Sequence, residues 1–571
     1  MLPTTKTILL RNVRSSLHNY TENAETAQLP YLNPRDVLVN ILRKHPWLLL
    51  GGLDPGVQSR EMLRTFWNTY QSEHPTHMVF RRAAAQSLKL ETTIPVMLHG
   101  DGGRTVKKQP LEVVSLVAVL GLDTYNDLKY SCPTSCDFTT NRDTSDPLLQ
   151  KLNNRNHSYL THFLLFAFPS KKFKKTPGLL KSMLRRVSQD MARVCSEGIS
   201  IGAEHYNFAV IGLRGDAEWH SKTGILQRSY QNVEHVNEKA CCHLCSAGSP
   251  GVDFENFRSD APWKATFLTS VPWAEPPPYD ALEFEDWGTG PAAAFFRHDP
   301  FHVFRLGIAR NFIASCLIFL CLETFYDDPT SPGESLAITE RLSRAWSHFS
   351  LWCEVTGKKP ASIRSFSKEK LHFATGTSFP FVGCKGADTI LLLKYLMFFS
   401  SLKINELGET ELLRLIKLGC EQGLAFQAIH RHGIWLPAGC RKQIFEMANG
   451  FCKTYSRLAA LAYSQRLTLF GLVPKAHALG HIYFDLERTK NNSFSINPAT
   501  WDTSSSEDFV GRVSRQSRRI GYRCIVSNTL LAYKVKANFV IQRFGKSRRR
   551  QWPFGFQLLI PKLRCWKCHL Q

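Results

Sequence analysis

The spacing of apolar residues changes along the first half of the chain. Residues 1–90 are predicted to be mainly helical, with one helix start at Asn33, which proline and an acidic residue follow. The apolar run 94–99 is too short for a helix and is typical of a buried strand. Similar runs predict three more strands, at 111–120, 159–168 and 206–213. Apolar residues spaced by three and four predict a helix at 179–195.

An aspartate follows the first of these strands, and another follows the fourth. Asp101 comes after Gly100, and Asp216 comes after Gly215. The order strand, strand, strand, helix, strand is that of a ribonuclease-H-like α/β core, in which the first and fourth strands are neighbours in a mixed sheet. Both carboxylates would then meet at one edge of the sheet. The simpler interpretation is that each Gly-Asp pair marks a turn, since aspartate tolerates turn geometry.

The pattern between about 295 and 470 is almost entirely helical, which indicates an all-α insertion. Five helices are predicted there, at 303–325, 335–355, 388–402, 409–423 and 437–466. A polar loop is predicted at 485–505, followed by a long basic helix. The predicted domains are an N-terminal helical region (1–90), the ribonuclease-H-like core (91–285), the helical insertion (286–484), a C-terminal core helix (485–545) and a basic, irregular tail (546–571).

Charge and composition narrow the class of partner. The 571-residue chain carries a formal net charge of +23, which favours nucleic acid because basic side chains on phosphates release counterions, although a basic protein without that role remains the alternative. No secretory signal opens the sequence, so the 16 cysteines are not expected to form disulfides. The longest apolar run, 312–322, is too short for a bilayer and predicts a buried helix without a membrane. Basic clusters at 171–175 and 546–550 are candidate nuclear import signals or solvated surface runs.

The two aspartates have the chemistry of a two-metal site. Phosphoryl transfer by two metal ions needs carboxylates that hold cations about 4 Å apart. Mg²⁺ or Mn²⁺ prefers such oxygen ligands. Asp101 and Asp216 would supply them only if the strand order is as predicted.

Cysteines and histidines at metal-binding spacings suggest a zinc site. Cys242 and Cys245 form a Cys-x2-Cys half-site, which needs two further ligands. His477 and His481 would supply them, since residues four apart lie on one helix face. Each half alone is as readily explained by core thiols or by a structural histidine pair. A further half-site at 565–569 has no visible second half and is not expected to bind metal.

Basic side chains near two predicted elements are candidates for DNA contact. Arg512, Arg515 and Arg519 form a stripe on the late basic helix, which would follow a DNA backbone or equally be an exposed face. Lys107 and Lys108 lie in a basic turn after the first strand. The segment from Asp299 to His302 also opens a helix, where an aspartate is most simply an N-cap.

These motifs together resemble the CACTA (En/Spm-like) superfamily of DDE transposases over roughly residues 95–535. The chain is similar to it in an acid after the first strand, an acid followed by Cys-x2-Cys, a D-x-x-H helix start, an H-x3-H pair and a final acidic helix. That last helix motif is similar to the segment that starts at Glu507, although the residues before Glu507 differ from the family pattern. Transib transposases and the V(D)J recombinase share the same order more distantly.

The resemblance implies an enzyme that cleaves DNA at a transposon end and transfers the strand to target DNA in the nucleus. Asp101, Asp216 and Glu507 would hold two Mg²⁺ or Mn²⁺ ions, with Asp508, Asp299 and Glu323 as rivals for the third acid. Zinc would join the cysteines to the histidines across the insertion. The resemblance allows a homodimer. Two alternatives stay open: a catalytically inactive, transposon-derived nucleic-acid-binding protein, and a helical scaffold that binds proteins.

Overall fold

The N-terminal region combines a β-hairpin with three helices. The computed structural model describes residues 5–11, 26–124, 145–154, 156–173, 176, 178–231, 240–327, 336–373 and 377–550. The first elements are β1 (Thr5–Arg11), β2 (Thr26–Leu32), α1 (Pro34–Lys44), α2 (Val57–Gln71) and α3 (Met78–Ala84).

The helix that starts after Asn33 is predicted correctly, and the β-hairpin is not predicted. Asn33 caps α1 by accepting a hydrogen bond from the amide of Arg35 at 3.0 Å. The prediction of a mainly helical region misses the antiparallel pair of β1 and β2. β2 contains Pro30, which lacks the amide hydrogen that a strand residue donates. The sequence of β2 therefore does not predict a strand.

A mixed sheet of five strands forms the α/β core. Its strands, with the helix between the third and fourth, are β3 (Thr93–Arg104), β4 (Pro110–Ala118), β5 (His162–Pro169), α4 (Leu179–Glu197), β6 (Ile199–Ile201) and β7 (Glu204–Arg214). The spatial order is β5-β4-β3-β7-β6. β3 is parallel to β7 and antiparallel to β4, while β4–β5 and β6–β7 are antiparallel. The expected neighbours, the first and fourth predicted strands, are therefore adjacent, and the short strand β6 was not predicted.

Burial along β3 explains why the predicted strand ends too early. Its first eight residues are buried, which matches the continuous apolar run, and the last four alternate between partly buried and exposed. The strand nevertheless continues past Asp101 to Arg104, because it stays paired with β4 in a hairpin. The third predicted strand starts later than expected, since Ser158–Leu160 forms a 3-10 turn before β5.

The second half of the chain is mainly helical, as predicted. After α5 (Ala217–Gly224) and α6 (Pro262–Ala265), a π-helical segment (Phe301–Ile308) leads into a set of long helices. These are α7 (Ala309–Leu322), α8 (Ile338–Val355), α9 (Gly386–Leu407), α10 (Glu411–Phe426), α11 (Ala438–Ser464) and α12 (Pro474–Arg488). The predicted loop at 485–505 is partly wrong, because β9 (Phe494–Ile496) pairs there with β8 (Trp435–Pro437).

The helix of the described residues that is long and apolar enough to cross a membrane lies in the protein core. The π-helical segment and α7 together give 22 residues, Phe301–Leu322, which are long and apolar enough to cross a membrane. Within its most apolar window, however, 78% of the residues are buried inside the protein. The apolar stretch is therefore longer than the run at 312–322 suggested, and its burial agrees with the predicted core helix.

Two helices, rather than one, return the chain to the sheet. α13 (Ser504–Ser517) crosses β3, and α14 (Ile525–Arg550) packs against β5, where the Tyr533 hydroxyl donates to the backbone oxygen of His162 at 3.3 Å. The predicted irregular tail at 546–571 is wrong for residues 546–550, which continue α14. Residues 551–571, including the half-site at 565–569, lie outside the described residues, as do Lys174 and Lys175 of the cluster at 171–175.

Candidate active site and metal centre

Two aspartates lie at the same edge of the sheet because their strands are parallel neighbours. Leu98 pairs with Leu213, and His99 pairs with Arg214, so Asp101 and Asp216 each come two residues after the last of these pairs. Both carboxylates are partly buried. Asp101 still belongs to β3, where it is opposite Val113 of β4.

The backbone around the aspartates fixes their side chains. The Asp101 carboxylate accepts a hydrogen bond from the amide of Gly102 at 2.6 Å. Asp216 caps α5 by accepting from the amide of Trp219 at 2.7 Å. The indole of Trp219 packs directly on β3, since a Cβ at Gly100 would lie 2.1 Å from it. A glycine before Asp101 therefore lets α5 and its capping aspartate approach the strand.

Glu507 reaches the same place from the first turn of α13. The helix start is anchored by two buried aspartates, Asp299 and Asp502. Asp299 accepts a hydrogen bond from the amide of Thr503 at 3.0 Å, and Asp502 accepts one from the amide of Ser504 at 2.9 Å. Further along, α13 lies close to β3, because a Cβ at Gly103 would meet the Ser514 hydroxyl at 2.2 Å. The sequence-distant acid is thus held against the strand that carries Asp101.

The charges of the three acids interact. Burial and the negative charges of Glu507 and Asp216 raise the pKa of Asp101 well above its ordinary value. Burial likewise raises the pKa of Glu507, and the charges of Asp299 and Asp216 add to this shift. Repulsion between neighbouring carboxylates favours their protonated forms, which a bound cation would reverse. The site therefore has the electrostatic character of a cation-binding cluster.

A protonated histidine lies between this cluster and Asp299. His302 approaches Asp299 with Nδ1 at 2.6 Å and Glu507 with Nε2 at 3.4 Å. Burial alone would lower the pKa of His302, but its hydrogen bond and charge interaction with Asp299, together with Glu507 and Asp216, raise it to about 9. His302 therefore carries a positive charge at neutral pH.

The three rivals for the third acid occupy other environments. Asp299 accepts from the amides of Phe301 and Thr503 and contacts His302, so it acts as the predicted N-cap and as the partner of the histidine. Asp508 is exposed and accepts hydrogen bonds from Arg512 and Ser158. Glu323 is exposed just past the end of α7. Among the four candidates for the third acid, Glu507 is the one whose charge raises the pKa of Asp101.

The three carboxylates together do not form the compact ligand group of a preformed mononuclear site, although the side chains of Asp101 and Glu507 lie within hydrogen-bonding distance of each other. Among the described residues, one group of potential metal ligands has all its ligand atoms within 4.8 Å of one another, and it consists of cysteines and histidines. The three acids do not form such a group. In a two-metal site the ions lie about 4 Å apart, and each carboxylate lies one metal–oxygen bond from its ion. Acids that bind different ions are therefore farther apart than the ligands of a single ion.

The predicted zinc ligands come together in one buried cluster. The ligand atoms of Cys242, Cys245, His477 and His481 all lie within 4.8 Å of one another. Nε2 of His477 is 3.3 Å from the Cys245 sulfur, and Nε2 of His481 is 3.2 Å from it. Two thiolates and two imidazoles suit tetrahedral zinc. The cluster could hold a zinc ion, and it connects the loop after α5 with α12, the last helix of the insertion.

Backbone groups next to the cluster orient its histidine and cysteine side chains. Nδ1 of His477 lies 3.1 Å from the backbone oxygen of Phe254, which directs Nε2 toward the sulfurs. The amides of Leu244 and Ala247 donate to the sulfurs of Cys242 and Cys245 at 3.3 and 3.4 Å. The ring of Trp263 packs at 4.8 Å from each histidine ring and covers the cluster.

One residue near this cluster was missed by sequence reasoning. His298 makes a side-chain hydrogen bond with Cys242. It is adjacent to Asp299, so one short segment links the cysteine–histidine cluster to the acids. The only sequence signal for His298 was its position beside the predicted helix start.

Exposed basic residues form a ridge where α13 meets the β3–β4 hairpin. The Ser517 hydroxyl donates to the Thr105 hydroxyl at 2.8 Å, and Arg518 donates to the backbone oxygen of Arg104 at 3.0 Å. We call this surface the basic ridge; its exposed members are Arg104, Lys107, Lys108, Arg515, Arg518 and Arg519.

Arg512 does not belong to the basic ridge, although the sequence placed it in the same stripe. It donates to Asp508 at 2.6 Å and to Nε2 of His157 at 3.0 Å. Its charge is therefore already paired within the protein. The helical spacing grouped Arg512 with Arg515 and Arg519 but did not reveal the partners that Arg512 meets.

Comparisons with models of known protein families and with curated proteins find no match for this chain.

Proposed function

We propose that this chain is a transposon-derived DNA transposase of the DDE type, which cleaves and transfers DNA strands with divalent cations. The observation that carries the proposal is the meeting of Asp101, Asp216 and Glu507, whose charges act on one another although the whole helical insertion separates the second acid from the third. A helical scaffold protein has no need to bring three acids together.

The topology supports a ribonuclease-H-like core. Such a core requires the strand bearing the first acid to lie beside the strand bearing the second, and β3 pairs in parallel with β7. It also requires a late helix to bring the third acid to the same sheet edge, and α13 crosses β3. The proposed fold assignment rests on this arrangement.

The donor set fits Mg²⁺ or Mn²⁺. Carboxylate oxygens are the ligands these hard cations prefer. Burial, together with repulsion from neighbouring acids, raises the pKa values of Asp101 and Glu507, and a cation would relieve that repulsion. When bound, two such ions would activate the attacking oxygen and stabilise the leaving oxygen. Asp299 would hold the protonated His302 beside Glu507 and so fix the direction of that carboxylate.

The other features have consistent roles in this proposal. The basic ridge would follow the phosphate backbone of transposon ends or target DNA in the nucleus, since phosphate contacts position a protein on DNA. A zinc ion at the cysteine–histidine cluster would be structural, tying the end of the insertion to the loop that follows Asp216. A homodimer would bring two DNA ends together.

A catalytically inactive nucleic-acid-binding protein is the second candidate. The arrangement of the three carboxylates favours it, because all three acids together do not form a compact ligand group. Both candidates require the basic ridge, whereas only the enzyme requires the acids.

Nicking of supercoiled plasmid DNA in the presence of Mn²⁺ separates the two candidates. Wild-type protein is expected to nick the plasmid, and Asp101→Asn, Asp216→Asn or Glu507→Gln is expected to reduce the rate by about 10²- to 10³-fold. Matched controls are Glu218→Gln and Asp508→Asn, which change exposed acids next to the site. Nicking that persists in Asp101→Asn would rule out the catalytic assignment, and DNA binding without any nicking by wild type would favour the inactive binder.

A further inference from the structure

A lysine of the insertion lies close enough to the acid cluster for its charge to interact with that of Asp216. Lys475 lies in the first turn of α12, two residues before His477. Its side chain is only partly accessible to solvent. A Cβ at Gly307 would lie 3.1 Å from the Lys475 Cδ, so the aliphatic stem passes directly over that glycine.

Gly307 belongs to the π-helical segment that also carries His302. The segment departs from helical geometry at Gly307, where φ is −115° and ψ is −114°. The absence of a side chain at this position leaves the space through which Lys475 extends. One segment therefore supplies His302 on the Glu507 side and makes room for Lys475.

The charge of Lys475 acts on the acid cluster without forming an ion pair there. Asp216 attracts it and Arg310 repels it. Within the described residues, its ammonium makes neither a hydrogen bond nor a salt bridge. A cation taken out of bulk water without a bonded partner is costly, and a nearby like charge adds to the cost. These costs are explained if an anion completes the arrangement.

We propose that the Lys475 ammonium binds the phosphodiester group that is cleaved at Asp101, Asp216 and Glu507. Once cations occupy the carboxylates, the open side of the cluster attracts the phosphate oxygens of a nucleic acid backbone. A lysine there acts as a point charge on those oxygens and stabilises the negative charge that develops on them. The assignment rests on the proposed function, and it makes Lys475 a substrate-binding residue contributed by the insertion.

The cysteine–histidine cluster explains how a helix of the insertion can hold Lys475 at a fixed position. His477 follows Lys475 by two positions on the same helix, and its Nε2 is tied to Cys245 in the loop after Asp216. Metal binding at the cluster would fix the start of α12 relative to the second acid. Lys475 would then be held at one distance from Asp216 by a rigid helix rather than by a loop.

The test is Lys475→Met, which keeps the buried stem but removes the charge, with Lys490→Met as a matched change at an exposed position after α12. In Mn²⁺-dependent plasmid nicking, Lys475→Met is expected to lose about 10²-fold in rate, as for removal of one preorganised charge-stabilising group. Lys475→Arg, which keeps the charge, is expected to recover part of the rate. Lys490→Met should stay within about twofold of wild type.

A second measurement separates phosphate binding from a structural role. Binding of a short DNA duplex with Ca²⁺ in place of Mn²⁺ should show a salt dependence whose log–log slope is smaller by about 0.9 in Lys475→Met, the value for one lost phosphate contact. Zinc content and melting temperature should equal or exceed those of wild type. Loss of zinc, a lower melting temperature or an unchanged slope would overturn the assignment.

The two levels of the proposal fail in different ways. If wild type nicks DNA, Asp101→Asn does not, and Lys475→Met nicks at the wild-type rate, the lysine assignment is wrong and the enzyme assignment stands. If wild type never nicks DNA, the proposed function is wrong, and the salt slope still decides whether Lys475 contacts a phosphate.

Discussion

The imidazole of His302 lies 3.4 Å from the carboxylate of Glu507, and it is held there by Asp299 on its other nitrogen. The raised pKa of His302, about 9, means that this histidine meets the acid cluster as a cation. A cation at this point both compensates the acids in the absence of metal and orients the carboxylate that arrives from α13. The positive charge is expected to weaken metal binding, whereas the orientation of Glu507 is expected to support turnover.

His302→Gln is expected to separate those consequences. Removing the positive charge leaves the cluster more negative, so half-saturation by Mn²⁺ should occur at a several-fold lower concentration. Turnover in plasmid nicking should fall by about tenfold or more, because Glu507 loses the group that orients it. The measurement is the Mn²⁺ dependence of the nicking rate. An equal loss of metal affinity and turnover, or a loss of zinc, would instead mean that His302 only supports the fold.

The cysteine–histidine cluster is expected to bind one zinc ion per chain. Cys242→Ser or His481→Ala should abolish stoichiometric zinc, measured by elemental analysis, and lower the melting temperature by several degrees, since metal-binding energy contributes to folding. Cys241→Ser is the matched control: its thiol is also buried but does not belong to the ligand group. Zinc that is absent from wild type, or retained in Cys242→Ser, would exclude the site.

The basic ridge is expected to contribute to DNA affinity one phosphate contact at a time. Lys107→Gln or Arg515→Gln should weaken binding of a short duplex and reduce the log–log salt slope by about 0.9. Arg512→Gln, on the same helix, should leave the slope unchanged, because Asp508 and His157 already engage that side chain. Fluorescence anisotropy over a salt series measures both. Equal effects at Arg512 and Arg515 would show that the ridge is not the DNA-binding surface.

Local patterns were enough to find the residues that follow a strand or share a helix face. Asp101 and Asp216 are recognisable because each follows an apolar run, and His477 and His481 because a spacing of four puts them on one side of α12. Lys475 and His298 were not recognisable, since their roles depend on how the insertion folds back over the sheet. The same limit applies to Arg512, whose spacing matches that of Arg515 but whose partners come from distant segments.

The elements that were not predicted are those whose structure depends on tertiary contacts more than on local sequence. The strands of the core follow from buried apolar runs, and their order follows from the succession of elements. The pairing of β2 with β1 could not be foreseen, because Pro30 weakens the strand pattern of β2. The division of the last helical region into α13 and α14 likewise depends on packing against both β3 and β5.

Glu73, which lies between α2 and α3, gives the chain a pH-dependent stability. Burial raises the pKa of its carboxyl group to about 7, although the amide of Ile496 donates a hydrogen bond to it. A folded-state pKa above the ordinary value means that the folded protein binds the proton more tightly than the unfolded chain does. The stabilisation that protonated Glu73 contributes is therefore lost as pH rises from about 4.5 through 7.

Glu73→Gln cannot ionise and keeps an oxygen that accepts from Ile496, so it should escape this loss. The difference in unfolding free energy between the variant and wild type is expected to increase in favour of the variant by about 1–3 kcal/mol between pH 5 and pH 8. Denaturant unfolding across that range measures it. Glu446→Gln, at an exposed position on α11, should show a nearly constant difference from wild type over the same range. A flat difference for Glu73→Gln would mean that the carboxyl group is hydrated in solution, which would place the contact between Glu73 and β9 in doubt.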